Sequence, residues 1–368
     1  MKKKRIENPE RILVVKAAGI GDLILAVPSL RALRSRFPGA RIDLLTAPKC
    51  SDLLRRCPYL DEIHVLPTQG MQNRVVPSEI GHLFSSLRRL RGRRYDLMIN
   101  LYHLFSRRGA LRMRFLIQSV DPSVTLGRNT DGRGGFYDFS IPDSWVDPVF
   151  ADRHEVEINL DVVRFLGAED PGEGLEFWTT EEDFIRMRTI LTREGVREGG
   201  TPWIVLNPGG DALYKRWPEE HFAQLADSLI REEGAEVLVT GGEGDRPVVE
   251  KILSGMRERP VNLAGKLDLN ELAALLATAD LMVTNDTGPM HLAAAVGTRV
   301  LALFGPGKPG RYAPYGPKGF HSWIRHPVVC SPCTDFSCRD RDCMRSISPR
   351  EVLERIEQLF PFRFEKCR

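Results

Sequence analysis

Four glycine-bearing loops, each following a run of aliphatic residues, hold the residue types that could do chemistry. The first is Gly19-Ile-Gly-Asp22. Its glycines Gly19 and Gly21 let the chain turn tightly against a ligand, and Asp22 at the helix start is a carboxylate able to accept a proton. The alternative, that Asp22 only favours the positive end of a helix, stands beside it. The second loop runs from Asn207 through Gly209 and Gly210 to Lys215-Arg-Trp-Pro218. Backbone N–H groups exposed by glycines, with Lys215 and Arg216 beside them, suit an anion such as phosphate. A surface loop with solvated cations is the plainer reading. The third, Thr240-Gly-Gly-Glu243-Gly-Asp245, offers Glu243 and Asp245 as acceptors for ribose hydroxyls or as helix-start carboxylates. The fourth is Asn285-Asp286-Thr287-Gly288-Pro-Met-His291. Its Thr287 and Gly288 amides at a helix start make a diphosphate cradle lined by Asp286 and His291. Against this, a histidine like His291 also serves as an ordinary packed side chain.

A base on one side and an amide-and-lysine seat on the other are the parts a nucleotide-sugar transferase needs. Other phosphate chemistries fit less well. The dinucleotide fingerprint G-x-G-x-x-G fails because Ile24 takes the third glycine position, and Leu45-Thr46-Ala47 ends the second strand without a carboxylate for a ribose. No G-K-[ST] opens a helix, which removes a P-loop ATPase. No Asp-x-Asp pair stands in these loops, so neutralisation by lysine and helix dipole, without a required metal or other cofactor, is the simpler expectation.

Strands alternating with helices must position these loops. Arg11–Lys16, Arg41–Thr46, Glu62–Leu66 and Tyr95–Asn100 read as strands of a first half, with a helix carrying Leu23, Ala26, Val27, Leu30 and Leu33 after the first loop. Trp203–Asn207, Glu236–Thr240, Val261–Leu263, Leu281–Thr284 and Val300–Phe304 repeat the plan, with helices between them. Such alternation predicts two parallel sheets with right-handed crossovers. The expected fold class is therefore α/β, with two Rossmann-like domains facing a central cleft, where ligands of open α/β sheets bind. The expected boundaries are 1–172 for an acceptor-side domain and 173–347 for a donor domain, with a linker near Asp170–Gly174. A final amphipathic helix occupies 348–368, with Val352, Ile356 and Phe360 on one face and Ser348 and Glu351 as a capping box.

At 368 residues the chain is long for one hydrophobic core. Its net charge of +3 is unevenly placed: residues 1–170 hold 27 Lys/Arg against 20 Asp/Glu, and the remainder 25 against 29. Between Arg88 and Arg133 stand 11 arginines against Asp96, Asp121 and Asp131. That run suits an anionic acceptor or an anionic membrane surface, or it is a solvated charged face. No aromatic interleaving supports nucleic acid. No signal peptide or membrane-spanning run is recognisable, so the expectation is a cytoplasmic protein, with the cytoplasmic face of the inner membrane as a peripheral site. Cys330, Cys333, Cys338 and Cys343 pack four thiols into 14 residues. They read as a structural zinc or iron–sulfur site, two disulfides or reduced thiols, with the spacing of no standard zinc ribbon.

The stretches RILVVKAAGIGDLILAVPSLRALRSRFPGARIDLLTAP, NPGGDALYKRWPEEHFAQLA and NDTGPMHLAAAVGTRVLALFGP, in this order, resemble the ADP-heptose:lipopolysaccharide heptosyltransferases, glycosyltransferase family nine. The resemblance runs from about residue 11 to about residue 360 and implies the GT-B fold. It also implies metal-independent, inverting transfer of a heptose from ADP-heptose to a lipopolysaccharide inner-core acceptor, either Kdo–lipid A or a heptosyl core. By the same likeness Asp22 matches the general base, Lys215 the phosphate-binding lysine, and Asp286, Thr287, Gly288 and His291 the donor loop. Glu243 or Asp245 falls near the ribose contact, and the last helix would cross back to the first domain. The cysteine run departs from the better-known members. Other readings are transfer from another ADP- or UDP-linked sugar, a protein acceptor, a sugar-nucleotide epimerase of the same two-domain plan, or a non-catalytic carbohydrate- or metal-binding protein.

Overall fold

The computed structural model describes residues 6, 8–66, 80–172, 174–196, 199–210, 212–330 and 337–359. The chain divides into two compact units, 1–176 and 177–368. In the first, β1 (Arg11–Lys16), β2 (Arg41–Thr46), β3 (Glu62–Val65), β4 (Leu97–Asn100), β5 (Val124–Thr130) and β6 (Phe139–Asp143) form one sheet in the order β3-β2-β1-β4-β5-β6. Every pairing is parallel. Its helices are α1 (Ile20–Ile24), α2 (Val27–Arg36), α3 (Ile80–Gly92), α4 (Arg107–Val120), α5 (Pro148–Ala151) and α6 (Glu155–Arg164).

The second unit repeats this order. β7 (Trp203–Asn207), β8 (Glu236–Val239), β9 (Val261–Asn262), β10 (Leu281–Asn285), β11 (Arg299–Phe304) and β12 (Ser322–Arg325) pair in parallel as β12-β11-β10-β7-β8-β9. With it come α7 (Glu181–Arg193), α8 (Glu219–Arg231), α9 (Arg246–Ser254), α10 (Leu269–Thr278), α11 (Gly288–Ala295), α12 (Pro309–Tyr312), α13 (Asp342–Arg345) and α14 (Pro349–Leu359). The central strands β1, β4, β7, β10 and β11 are aliphatic along nearly their whole length because helices cover both faces of a parallel sheet. In each sheet the strand order reverses once, between β1 and β4 and between β7 and β10. Loops at those carboxyl ends diverge and leave a crevice for a ligand.

Local chemistry refines the expected elements. The single helix predicted after β1 is two, because Pro28 has no N–H to give Ile24 and a second helix restarts with proline in its first turn. The linker is tied down: Arg31 holds Asp170 through two bonds of 2.6 and 2.7 Å, Glu176 at 2.7 Å and the Gly174 carbonyl at 3.1 Å. The division therefore falls after Glu176 rather than at 172. The terminal helix α14 packs on α8 and buries Val352 and Ile356 in the core of the second unit, and the last part of the expected 348–368 segment, 360–368, lies outside the described residues. Only half of its capping box forms. Ser348 Oγ accepts from the Glu351 N–H at 3.2 Å, while the Glu351 carboxylate meets His326 at 2.8 Å. Phe360 lies outside the described residues.

Candidate active site

In the first unit, β1 delivers the chain to Gly19, the residue preceding α1, and Gly21 is buried beneath the turn. Asp22 sits half-buried in the first turn, its carboxylate close enough to Gly19 that a Cβ there would lie 3.8 Å from Oδ2. No side-chain cap forms, and no hydrogen bond or ion pair to Asp22 is present among the described residues. Asp22 therefore does not cap α1, but it occupies the first turn, where the helix-dipole alternative puts it.

Behind this turn lies a charged cluster that the sequence did not reveal. Lys16, the last residue of β1, is fully buried, and its Nζ donates to the Leu101 carbonyl at 3.1 Å, Glu155 at 3.1 Å and Asn159 at 3.3 Å. Arg128, from β5, is equally buried and donates to Asp143 at 2.8 Å and to both oxygens of Glu155. Burial alone would push the Glu155 carboxyl upward. The Arg128 guanidinium and Lys16 ammonium outweigh it and hold Glu155 well below the ordinary carboxylate range. Burial lowers Lys16, opposed by Glu155 and by the nearby charge of Asp22. His103, following β4, is also lowered by burial and lies 3.8 Å from Glu155. Asp22 thus sits within the field of a buried lysine that is itself fixed from three directions.

In the second unit the predicted residues converge on the carboxyl ends of β7, β8 and β10. Lys215 Nζ donates to Asp286 Oδ2 at 2.7 Å, with Asp286 nearly buried and Lys215 one-third exposed. Asn285, the last residue of β10, clamps the loop after β7: its amide donates to the Pro208 and Gly209 carbonyls at 2.9 and 3.1 Å, and its oxygen accepts the Trp217 N–H at 3.0 Å. Asn207 is buried beside Thr284, 3.3 Å away. Gly209 must be glycine, because a Cβ would run into the Asp245 carboxylate, and Gly210 has φ +148° with Thr287 against it. Gly307 likewise leaves the room that Asp286 fills. Thr287 precedes α11 in extended conformation, so the Gly288 end of that helix points its N–H groups outward beside Asp286.

Of three other predicted residues, Glu243 and Asp245 stand at a helix start, as their alternative reading had it, and His291 is packed. His291 is buried on α11 rather than lining the loop's open side. Asp245 is engaged by the Gly242 N–H at 3.0 Å and by Arg216 at 3.6 Å, whereas Glu243 is exposed and pairs with Arg246 at 2.9 Å. Asn285 was passed over on sequence because an asparagine ending a strand carries no charge to mark it.

The expected four-thiolate metal site is not assembled among the described residues. Cys330 is exposed, Cys338 half-buried and Cys343 buried near Gly305, none of them in a disulfide, and Cys333 lies outside the described residues. Cys330 and Cys338 lie near enough that their charge adds to burial in raising the Cys343 thiol. The group of ligand atoms within 4.8 Å of one another among the described residues is instead Asp43, Glu62 and His64. Those carboxylates are already compensated by Arg41 at 3.1 Å from Asp43 and Arg93 at 2.6 Å from Glu62, and Tyr95 donates to Asp43 at 2.7 Å. Lying within β2 and β3 rather than in a loop after either strand, the group reads as a brace for the sheet.

Residues 83–343 match the model of glycosyltransferase family 9 (heptosyltransferase). The chain belongs to this family. The matched range of this glycosyltransferase contains the Asn207–His291 loops. The chain is 29% identical over 363 residues to lipopolysaccharide heptosyltransferase 2 of Salmonella typhimurium, covering 95% of this chain and 98% of that one. It is 27% identical over 344 residues to lipopolysaccharide heptosyltransferase 3 of Escherichia coli, with 93% and 95% covered. Among solved structures, the family 9 glycosyl transferase from Veillonella parvula superposes with a TM-score of 0.76 at 25% identity, over 95% of this chain and 97% of that chain. The E. coli ADP-heptose heptosyltransferase II does so with a TM-score of 0.70 at 26% identity, over 95% and 98%. The two-sheet architecture of this glycosyltransferase is accordingly GT-B.

Proposed function

We propose that this glycosyltransferase moves a heptose from ADP-heptose to a lipopolysaccharide inner-core acceptor, with inversion at the anomeric carbon and without a required metal. The observation that carries the reading is the Lys215–Asp286 pair at the amino end of α11, in a chain of the heptosyltransferase family. Asp286 holds one donor of an ammonium that has three, which orients Lys215 toward the diphosphate. The Thr287–Gly288 end of α11 supplies amides and the positive end of a dipole. Asp22 takes the proton of the acceptor hydroxyl as its oxygen bonds to C1. The bond from C1 to the diphosphate oxygen breaks on the opposite face, and ADP departs with the electron pair. With Asp245 committed to Gly242 and Arg216, Glu243 is the carboxylate assigned to the ribose.

The deciding experiment is a screen of nucleotide sugars for thermal stabilisation, followed by transfer to a Kdo–lipid A acceptor. A ligand that binds the native state raises its melting point by mass action. ADP-heptose should stabilise more than ADP-glucose or UDP-sugars and should yield a heptosylated acceptor with inverted configuration. Isomerised donor with no transfer would make the protein an epimerase instead, and stabilisation by a UDP-sugar alone would overturn the donor.

A further inference from the structure

The arginine-rich run between Arg88 and Arg133 separates, in the structure, into engaged and outward-facing residues. Arg128 is buried in the ionic cluster, Arg93 pairs with Glu62 at 2.6 Å and Arg133 with Asp131 at 3.0 Å. What remains, apart from Arg94 in the turn before β4, lies on the neighbouring helices α3 and α4. The helix α4 buries Met113, Leu116 and Val120 against the sheet. At 100° per residue, Leu111 and Phe115 fall on the opposite crest, where a surface helix normally carries polar groups. They are 62% and 49% exposed, and Arg108 and Arg112 flank them on one side of the crest, Arg107 and Arg114 on the other. On α3, Phe84 is 60% exposed, one turn from exposed Arg88. Neither helix contains a carboxylate; the acid that reaches them is Asp121, 3.0 Å from Arg91.

We propose that the outward face of α3 and α4 docks the protein on an anionic lipid bilayer. Apolar tips ringed by cations are what an interfacial helix presents: Leu111, Phe115 and Phe84 enter the acyl boundary while the guanidiniums meet headgroup phosphates. Charge selects the partner, since two adjacent helices of one sign would be repelled by a cationic surface and gain little from a neutral one. The apolar crest argues against nucleic acid, which has no apolar phase for Leu111 and Phe115 to enter. No helix of the described residues is long and apolar enough to cross a membrane, so attachment of this kind would be reversible. The proposal stands apart from the assignment of donor and acceptor, because adsorption needs neither.

The test is co-sedimentation of the full chain with phosphatidylcholine vesicles and with phosphatidylcholine–phosphatidylglycerol vesicles. The protein should bind only the latter, less tightly as salt rises. Replacing Arg108 and Arg112 with Gln should weaken binding about fivefold per arginine. The pair L111S/F115S should weaken it by about tenfold or more at unchanged salt dependence. F84S, on the other helix, should weaken it independently and guards against loss of α4 structure, which melting curves also check. R188Q/R193Q on α7 should change nothing. Absence of binding to anionic vesicles, equal binding by L111S/F115S, or equal loss in the α7 pair would overturn the proposal. So would duplex DNA binding that needs the arginines but not Leu111 or Phe115, with no binding to vesicles.

Discussion

The two units carry the same strand order and place charge at the same carboxyl strand ends, yet they treat that charge in opposite ways. In the first unit the cations are sealed: Lys16 and Arg128 are wholly buried and spend their donors on Glu155, Asp143, Asn159 and the Leu101 carbonyl. Asp22, in front of them, has no hydrogen bond or ion pair among the described residues. In the second unit the cation is presented: Lys215 is one-third exposed and tethered by the nearly buried Asp286. A buried ion pair is costly to assemble and costly to break, so it fixes a geometry rather than binding a ligand. A tethered, partly exposed ammonium keeps its charge available to an incoming anion. The same sheet order thus supports a rigid platform behind Asp22, the proposed base, in one unit and the proposed anion seat in the other.

The comparison breaks most sharply at Asp22. General-base catalysis contributes about 10²–10⁴-fold, and Asp22→Ala should lose turnover on that scale while ADP still stabilises the protein in a thermal melt. Unchanged turnover would strip the first unit of its chemical role.

Next in size is the platform itself. Glu155→Gln leaves Lys16 and Arg128 buried with one carboxylate fewer, at a cost of about 3 kcal/mol or more. In a unit of this size that lowers the melting midpoint by about 6–12 °C. The pH dependence fixes the cause. Because the folded Glu155 carboxyl is held below its ordinary value, its stabilisation is fully present above about pH 4.3 and is lost as pH falls through the depressed folded value. The wild-type midpoint should therefore fall more steeply than the variant's on acidification below that pH. Parallel curves would mean that the cluster does not hold its charge as the geometry shows.

These two predictions also mark what could be read from sequence. Asp22 and the Lys215 and Asp286 loops were visible because glycines and charges end aliphatic runs, a local pattern. Glu155 and Arg128 were not, since Lys16 and Glu155 lie 139 residues apart and nothing local distinguishes a buried arginine from the exposed ones around it. Reading Arg88 to Arg133 as one basic run misplaced Arg128 for that reason. The parallel sheets were legible from alternation, but β5 and the edge strands β6 and β12 were not. That α14 packs on α8 was not legible either, because an amphipathic helix shows which face it buries and not against what.

On the presenting side, Lys215→Ala removes the ammonium proposed to meet the leaving diphosphate. Loss of one such donor costs about 10²-fold, and here it should appear in both donor affinity and turnover. Asp286→Asn should reproduce part of the loss, because the amide still contacts Lys215 but no longer holds it electrostatically. An ADP affinity and rate unaltered in Lys215→Ala would place the anion seat elsewhere.

The smallest effect separates two carboxylates that sequence could not. Asp245 has little freedom: the Gly242 N–H and Arg216 occupy it, and Gly209 lies directly against it. Its loss should lower stability by loosening the loop after β8. Glu243 is exposed, and its partner Arg246 is three residues away on the same surface, an ion pair of little energetic weight. A ribose hydroxyl can therefore compete for it at low cost. Glu243→Ala should raise the donor KM about fivefold with kcat unchanged, the signature of binding energy shared equally by ground and transition states. A KM shift seen instead in Asp245→Asn, with its melting point preserved, would exchange the two assignments. It would also place the nucleoside deeper against the loop that Asn285 clamps.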